Sequence, residues 1–293
     1  MTDNTRGALF MVICMAGFSF NDAMIKLAVT LAEIGLFQAI FIRGLFASAL
    51  LGSLWFSRGT PVRRLPRSDA GWLSLRLLGE VGGTLCFLTA IFKMPLANAT
   101  AILQVMPLAV TLAAAFFLGE KVGWRRYTAI GIGLFGMLII VRPGSAAFDS
   151  HSLWAVAACG FMVLRDLSTR QLSSGLPSAF VAFATAMTIA AVGGLVSVFL
   201  PWSPVSLQSL LILAVAAGFL LGGYLFGVMA VRVGEVGAVA PFRYSILIWA
   251  TLLGIGVFGD WPDTATILGA TLLVATGVYS FRRDQLAAPV RAR

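Results

Sequence analysis

Long apolar runs alternate with short polar connections along nearly the whole chain. The runs fall at residues 7–29, 35–57, 70–92, 95–117, 126–142, 151–172, 177–200, 206–231, 236–258 and 263–281. A helix of about 20 apolar residues crosses the hydrocarbon of a membrane. The pattern therefore predicts an all-α membrane protein with ten transmembrane helices joined by short loops.

Composition agrees with the pattern. Apolar residues make up 59% of the 293 positions, charged residues make up 11%, and the mean hydropathy is +0.94. A soluble domain carries about a quarter charged residues, so the apolar excess is too large for a soluble core. The net charge of +9 lies mainly in the loops, which indicates membrane topology and not a nucleic-acid partner.

The basic residues orient the predicted helices. If all ten runs cross the membrane, the termini and every second loop lie on one side of it. These segments hold Arg6, Arg58, Arg63, Arg64, Arg67, Lys121, Arg125, Arg126, Arg170, Arg232, Arg282, Arg283, Arg291 and Arg293. Loops on the opposite side hold only Lys93 and Arg142. Because basic loops stay in the cytoplasm, both termini are predicted to be cytoplasmic.

The chain contains a faint internal repeat. Residues 92–120 align without a gap on residues 232–260, and the alignment places Thr111 on Thr251 and Gly119 on Gly259. Each half then holds five helices. Since five is odd, the second half enters the membrane from the opposite side, which predicts inverted repeats.

These observations give a domain organisation. The first five-helix repeat covers residues 1–145, the second covers residues 146–284, and residues 285–293 form a short cytoplasmic tail. Both repeats belong to one bundle, because no connection is long enough to hold a separate soluble domain.

Several short motifs resemble the EamA-type module of the drug/metabolite transporter superfamily. They are Ala97-Asn98-Ala99-Thr100, Met106-Pro107-Leu108, Leu118-Gly119-Glu120, the glycines Gly131 to Gly136, Gly17, Phe20 and Lys26 in the first helix, and Arg43 in the second. The second half repeats the pattern less well, with Ala240-Pro241, Gly259-Asp260, Gly269 and Gly277. Asp260 stands where the family usually has Glu.

The resemblance implies a transporter of the bacterial inner membrane that exports small metabolites by alternating access. Within the superfamily the chain is most similar to exporters of amino acids, including aromatic ones. A nucleotide-like or cationic metabolite is the alternative substrate, and the direction of transport stays open.

Ionisable residues inside the spans are candidate functional groups, because a charge in the membrane is costly. The predicted gating or ion-pair residues are Asp22, Lys26, Arg43, Arg76, Arg165 and Asp166. The four-residue spacing favours the pairs Asp22 with Lys26, Arg76 with Glu80, and Asp166 with Arg170. Their depths predict one charged layer on each side of the midplane. These pairs either fix helix register or close the two mouths as gates.

The predicted substrate-binding residues lie between or beside these layers. They are Asn21, Glu80, Gln104, Tyr224, Arg243, Tyr244 and Trp249. Glu80 and Arg243 are chosen because an amino acid carries both charges. Gln104 and Tyr244 occupy equivalent positions in the two repeats, so we expect them to face one cavity together with Asn21.

Pro107 and Pro241 fall inside the fourth and ninth spans. A proline inside a helix frees a carbonyl and kinks the helix. The two kinks are either static or hinges for alternating access.

No nucleotide-binding loop of the form G-x-x-x-x-G-K-[ST] occurs, so the substrate gradient or protons would drive transport. Asp22 and Glu80 are the acids placed to carry a proton. The single histidine, His151, and three cysteines at unrelated spacing predict no metal or cofactor and disfavour a lipid-modifying enzyme. The expected partners are the small substrate and the lipid bilayer, with monomer and homodimer both open.

Overall fold

The computed structural model describes residues 2–31, 33–57, 66–117, 119, 123–144, 148–173, 175–234 and 239–287. The described residues are helical apart from short connections and contain no β-strand, as predicted. Several predicted features lie outside them: Leu118 and Glu120 of the Leu-Gly-Glu motif, and the basic residues Arg58, Arg63, Arg64, Lys121, Arg291 and Arg293.

Each predicted apolar run coincides with a helical segment. The helices are α1 (Asp3–Leu31), α2 (Leu36–Ser57), α3 (Arg67–Lys93), α4 (Leu96–Leu103), α5 (Met106–Phe117), α6 (Trp124–Val141), α7 (Ser152–Arg170), α8 (Ser178–Ser197), α9 (Leu207–Val233), α10 (Ile246–Leu253) and α11 (Thr264–Ala287). A 3₁₀ segment (Ala240–Ser245) precedes α10, and a π-helical turn (Gly254–Phe258) follows it.

Seven segments of the described chain are long and apolar enough to cross a membrane. They are α1, α2, α3, the α4–α5 pair, α8, α9 and the segment Ala240–Phe258. α6 and α11 contain shorter apolar stretches, Tyr127–Val141 and Thr264–Ser280, and α7 carries three charged residues between positions 165 and 170. That all ten segments cross, and that both termini are cytoplasmic, stay predictions.

The two halves of the chain interleave. α1 packs along α9, α3 along α7, α2 along α8, and α6 along α11, and each pair joins the first half to the second. Glycine lets these helices approach closely. A Cβ added at Gly79 would lie 2.7 Å from the backbone nitrogen of Arg165, and one at Gly17 would lie 2.9 Å from the carbonyl oxygen of Phe219. Interleaving lets side chains from both halves meet.

Contacts between the halves mark two ends of the bundle. At one end, which we call the Lys26 end, Gln38 at the start of α2 exchanges two hydrogen bonds with the backbone of Ser203 (2.9 and 3.1 Å). At the other, the Asp69 end, the Asp69 carboxylate accepts hydrogen bonds from the backbone N–H (3.2 Å) and the hydroxyl (2.6 Å) of Ser173. The basic-residue pattern predicts that the Asp69 end is cytoplasmic.

The fourth and ninth spans are interrupted. α4 ends at Leu103 and α5 begins at Met106, so Pro107 lies in the first turn of α5. Pro241 lies in the first turn of the 3₁₀ segment. The prediction that both prolines lie mid-helix is therefore wrong in detail. A first helical turn tolerates proline, because its N–H groups have no partner inside the helix.

Candidate functional site

Glu80 lies at the middle of a group of largely buried polar and charged side chains, which we call the cluster. Its members are Asn21, Asp22, Arg43, Arg76, Glu80, Arg165, Asp166, Thr185 and Tyr224. Oε2 of Glu80 is 3.9 Å from Nη1 of Arg76, one turn away on α3, and 3.6 Å from Nη1 of Arg165 on α7. The Glu80 side chain is 14% exposed. These distances exceed normal hydrogen-bond lengths, and Glu80 has no hydrogen bond within the described ranges. The predicted pair of Arg76 with Glu80 is confirmed as a loose ion pair.

The two arginines beside Glu80 are anchored elsewhere. Nη1 of Arg76 donates a hydrogen bond to the hydroxyl of Thr185 on α8. Nε of Arg165 donates to Oδ1 of Asp166 at 2.8 Å. The neighbouring guanidinium of Arg165 is thus folded back onto the Asp166 carboxylate, and the pairing of Asp166 with Arg170 stays a prediction. Sequence reasoning missed Thr185, which carries no charge and lies in the other half.

A second polar group joins α1 to α2. Nη1 of Arg43 donates to Oδ1 of Asn21 at 3.3 Å, and Nδ2 of Asn21 donates to Oδ1 of Asp22 at 3.0 Å. Arg43 is 7% exposed, so its charge is held in the interior. Asn21 therefore bridges an acid and a base, and the predicted pair of Asp22 with Lys26 is not formed.

Lys26 pairs with the opposite half at the Lys26 end. Its Nζ lies 3.3 Å from Oδ2 of Asp260, 3.4 Å from the carbonyl oxygen of Met94, and 4.7 Å from the ring centre of Phe258. A lysine that is 8% exposed near the end of its span needs an anionic partner, and Asp260 is the acid at the matching end of the ninth span.

Tyr224 on α9 connects the two groups of charges. It lies within electrostatic range of Glu80, Arg165, Arg76 and Arg43. Six helices, α1, α2, α3, α7, α8 and α9, thus supply the whole cluster.

Aromatic rings border the cluster. Phe18 contacts the edge of the Tyr224 ring with the centroids 5.5 Å apart. Phe20 stacks on Phe219 at 5.0 Å and lies 6.3 Å from Trp249. The structure therefore places the predicted Trp249 in an aromatic group that shares α1 and α9 with the charges.

Three predicted site residues have other surroundings. Nε2 of Gln104 donates to the carbonyl oxygen of Thr100 in its own helix at 3.0 Å. The Tyr244 hydroxyl is packed against Gly277 of α11. Arg243 is exposed, and its charge acts on Tyr244 and on Cys14. The described contacts do not bring these three side chains to Glu80.

A separate ion pair joins α6 to α11 at the Lys26 end. Arg142 donates to Oδ2 of Asp263, and the backbone N–H of Thr266 donates to Oδ1 of Asp263 at 2.8 Å. Partial burial raises the pKa of Asp263, but the hydrogen bonds from Thr266 and Arg142 outweigh it, so the pKa is lowered. In the described part of the chain, no three potential metal-ligand side chains meet.

Comparison with known proteins defines the class. Residues 5–142 match the EamA-like transporter family. A solved crystal structure with 19% identity covers 97% of this chain and 99% of its own, with a TM-score of 0.63, which shows that the fold is shared. The chain is a multi-pass membrane protein of the transporter class. Its first half, residues 5–142, belongs to the EamA-like transporter family, which confirms the resemblance carried by its motifs.

Three curated relatives are transporters matched over nearly the whole chain. The pseudopaline exporter CntI of Pseudomonas aeruginosa is 29% identical and aligns over 92% of this chain and 93% of its own. The riboflavin transporter of Vibrio cholerae is 27% identical, over 94% and 92%. The S-adenosylmethionine uptake transporter of Rickettsia felis is 24% identical, over 93% and 91%.

Proposed function

We propose that the chain is an alternating-access transporter of the bacterial inner membrane, built from inverted repeats at residues 1–145 and 146–284 with cytoplasmic termini. The helix pairing supports this proposal. A two-fold relation exchanges the first span with the sixth and the third with the eighth. It therefore converts the α1–α9 pair into the α7–α3 pair and maps α2–α8 and α6–α11 onto themselves.

The proposed substrates are small zwitterionic metabolites, namely amino acids, including aromatic ones, and compounds derived from them, which the protein exports. This proposal rests on the Glu80 carboxylate, which lies near two arginines but accepts no hydrogen bond from a described residue. Two arginines neutralise it at 3.6 and 3.9 Å, yet it keeps its hydrogen-bonding capacity. A substrate ammonium group would satisfy it, and the surrounding arginines would meet the substrate carboxylate.

A nucleotide-like or cationic metabolite is the second candidate. One relative is named for uptake of S-adenosylmethionine and another for transport of riboflavin. Both compounds carry a flat ring system. Two groups of aromatic contacts border the charges, Phe18 with Tyr224 and Phe20 with Phe219 and Trp249, and aromatic faces bind flat rings well.

The contacts between halves serve as gates in this proposal. The pair of Lys26 with Asp260 closes the outer mouth, and the hydrogen bonds between Asp69 and Ser173 close the inner mouth. Breaking one set while keeping the other exposes Glu80 to one side at a time. Pro107 follows the break between α4 and α5, and Pro241 lies in the 3₁₀ segment before α10, which supports the hinge hypothesis.

Substrate exchange into proteoliposomes tests the proposal. Purified protein is reconstituted with unlabelled compound inside, and the entry of radiolabelled L-phenylalanine, S-adenosylmethionine or riboflavin is measured. We expect exchange of L-phenylalanine well above that of empty liposomes. Exchange of riboflavin alone would contradict the zwitterion proposal, and exchange of S-adenosylmethionine without L-phenylalanine would favour the nucleotide-like candidate. Coupling to protons would appear as stimulation by a pH gradient.

Reporter fusions test the orientation. A fusion after Arg126 is expected to report the cytoplasm, and one near Ser145 the periplasm. The opposite pattern would contradict both the topology and the inverted repeats.

A further inference from the structure

Two arginines of the cluster have buried nitrogen atoms without partners. Within the described ranges, Nε of Arg43 and Nε of Arg76 are both shielded from solvent and make no hydrogen bond. Each arginine is anchored through Nη1, Arg43 to Asn21 and Arg76 to Thr185. Neither Nη2 atom donates a hydrogen bond to another described residue. In each guanidinium, the edge formed by Nε and Nη2 therefore has no acceptor among the described residues, and we call such an unpaired edge open.

An open edge of this kind is unusual in a protein interior. Buried donors nearly always have an acceptor, and an unsatisfied one carries a desolvation penalty. The Nε–Nη2 edge also presents two parallel N–H groups at the spacing of carboxylate oxygens. Arg43 is 7% exposed, and its anchor fixes the guanidinium, so the edge is held ready for an acceptor.

Tyr224 supplies a third donor in the neighbourhood of both arginines. Its ring lies within electrostatic range of both Arg43 and Arg76. The hydroxyl makes no hydrogen bond to any residue that the structure describes, and Phe18 supports the ring edge-on at 5.5 Å. Arg43, Arg76 and Tyr224 come from α2, α3 and α9, so both halves of the chain contribute.

The acids already present do not fill these positions. Glu80 approaches Nη1 of Arg76 and Nη1 of Arg165, and Asp22 is hydrogen-bonded to Asn21. Both acids face the cluster and stay available for a positive group. The open donors therefore match a negative group that arrives with its own positive charge.

We propose that the Nε–Nη2 edge of Arg43, with Arg76 and the Tyr224 hydroxyl, binds the carboxylate of the transported compound. This assignment rests on the proposed transport of zwitterions and makes it more specific. It replaces Arg243 as the anion-binding group, since Arg243 is exposed and its charge acts on Cys14 and Tyr244. The site selects for a free carboxylate and against its uncharged amide.

The test compares L-phenylalanine with L-phenylalaninamide, which keeps the ammonium group and the ring but lacks the negative charge. Each compound competes with radiolabelled L-phenylalanine for exchange in proteoliposomes. The wild-type protein is expected to prefer the acid by at least about tenfold, the scale of a charge-assisted bidentate contact. Arg43→Gln is expected to reduce this preference about tenfold, mainly because L-phenylalanine binds more weakly.

The matched control is Arg125→Gln, which makes the same chemical change at an exposed arginine on α6. It is expected to leave the preference at the wild-type value. Tyr224→Phe removes only the hydroxyl and is expected to reduce the preference about threefold. If Arg43→Gln is not recovered as folded protein, the preference measured in Tyr224→Phe tests the carboxylate site by itself.

The outcomes separate the two proposals. If the wild-type protein exchanges neither compound, the proposed amino-acid function fails, and the carboxylate site fails with it. If the wild-type protein exchanges L-phenylalanine but the preference is unchanged in Arg43→Gln, or in Tyr224→Phe where only that variant folds, the function stands and this site is wrong.

Discussion

The six helices that share the buried charges differ from the remaining segments, α4 to α6 and Ala240 to α11, in how their charged side chains are satisfied. In the charged helices, Glu80 and two arginines keep unused hydrogen-bonding capacity. In the remaining segments, Arg142 bonds to Asp263, and the buried oxygens without a partner belong to uncharged side chains such as Asn98 and Tyr244. Charged groups with local partners support the scaffold, whereas charged groups without full partners are available to a ligand.

Two tyrosines, one from each region, differ in exposure and in surroundings. Tyr224 is partly exposed among four charged residues. Tyr244 is 5% exposed, and its hydroxyl is packed against Gly277. Burying a polar hydroxyl without a partner costs free energy. The packing of the Tyr244 side chain must therefore offset that cost. The two side chains should differ in reactivity when each is replaced by cysteine.

The largest expected effect is on thiol labelling. In a background without Cys14, Cys86 and Cys159, a cysteine replacing Tyr224 is expected to react with a water-soluble thiol reagent at least about tenfold faster than one replacing Tyr244. Only the first should be protected by substrate. Mass spectrometry of labelled protein measures both rates. Equal rates would contradict the division between the two sets of helices.

The next effect concerns the ion pair that closes the Lys26 end. Asp260→Asn removes the partner of Lys26, whose contribution at a partly exposed site is about 1 kcal/mol. That change is expected to raise labelling of a cysteine at position 224 from the outer side about fivefold. Exchanging the two charges, Lys26→Asp with Asp260→Lys, is expected to restore the wild-type rate. Labelling that stays at the wild-type rate in Asp260→Asn would contradict the gate.

The smallest effect is expected from Asp263→Asn, which removes the ion pair between α6 and α11. The Asp263 side chain is 48% exposed, so we expect a loss of less than about 1 kcal/mol and a Tm lower by about 2 °C. Transport at pH 7 should be unchanged. A large loss of transport would show that these helices do more than support the others.

The sign of the pH dependence follows from the lowered pKa of Asp263. Because the folded state binds this proton more weakly than the unfolded state, the stabilisation is present above the ordinary pKa of about 4. It is lost as the pH falls through the lowered pKa. The difference in Tm between wild type and Asp263→Asn should therefore shrink in acid.

Much of the fold could be predicted from the sequence, because each apolar run and each turn between runs is a local signal. α2 was predicted at 35–57 and is found at Leu36–Ser57. The interruption of the fourth span was placed at Pro107, but the helix breaks two to three residues earlier. Gln104 caps the carbonyl of Thr100 there, a local contact that apolar periodicity does not report.

Pairing between halves could not be predicted in the same way. Spacing along one helix favoured Asp22 with Lys26, but Lys26 bonds to Asp260, which is 234 positions away. Such partners depend on how the halves interleave. The positions of Asp22, Arg43 and Glu80 inside apolar runs did identify them as functional candidates. A charge in a membrane span indicates function wherever its partner lies.

The direct test of the central claim is equilibrium binding of L-phenylalanine to purified Glu80→Gln, measured by calorimetry beside wild type and the matched variant Glu33→Gln. Glu33 is exposed and lies outside the cluster, so the control makes the same chemical change without touching the site. We expect Glu80→Gln to bind at least about tenfold more weakly, the scale of a lost charge-assisted hydrogen bond, and Glu33→Gln to bind as wild type. Wild-type affinity in folded Glu80→Gln at every pH tested would contradict a role for this carboxylate in substrate or proton binding.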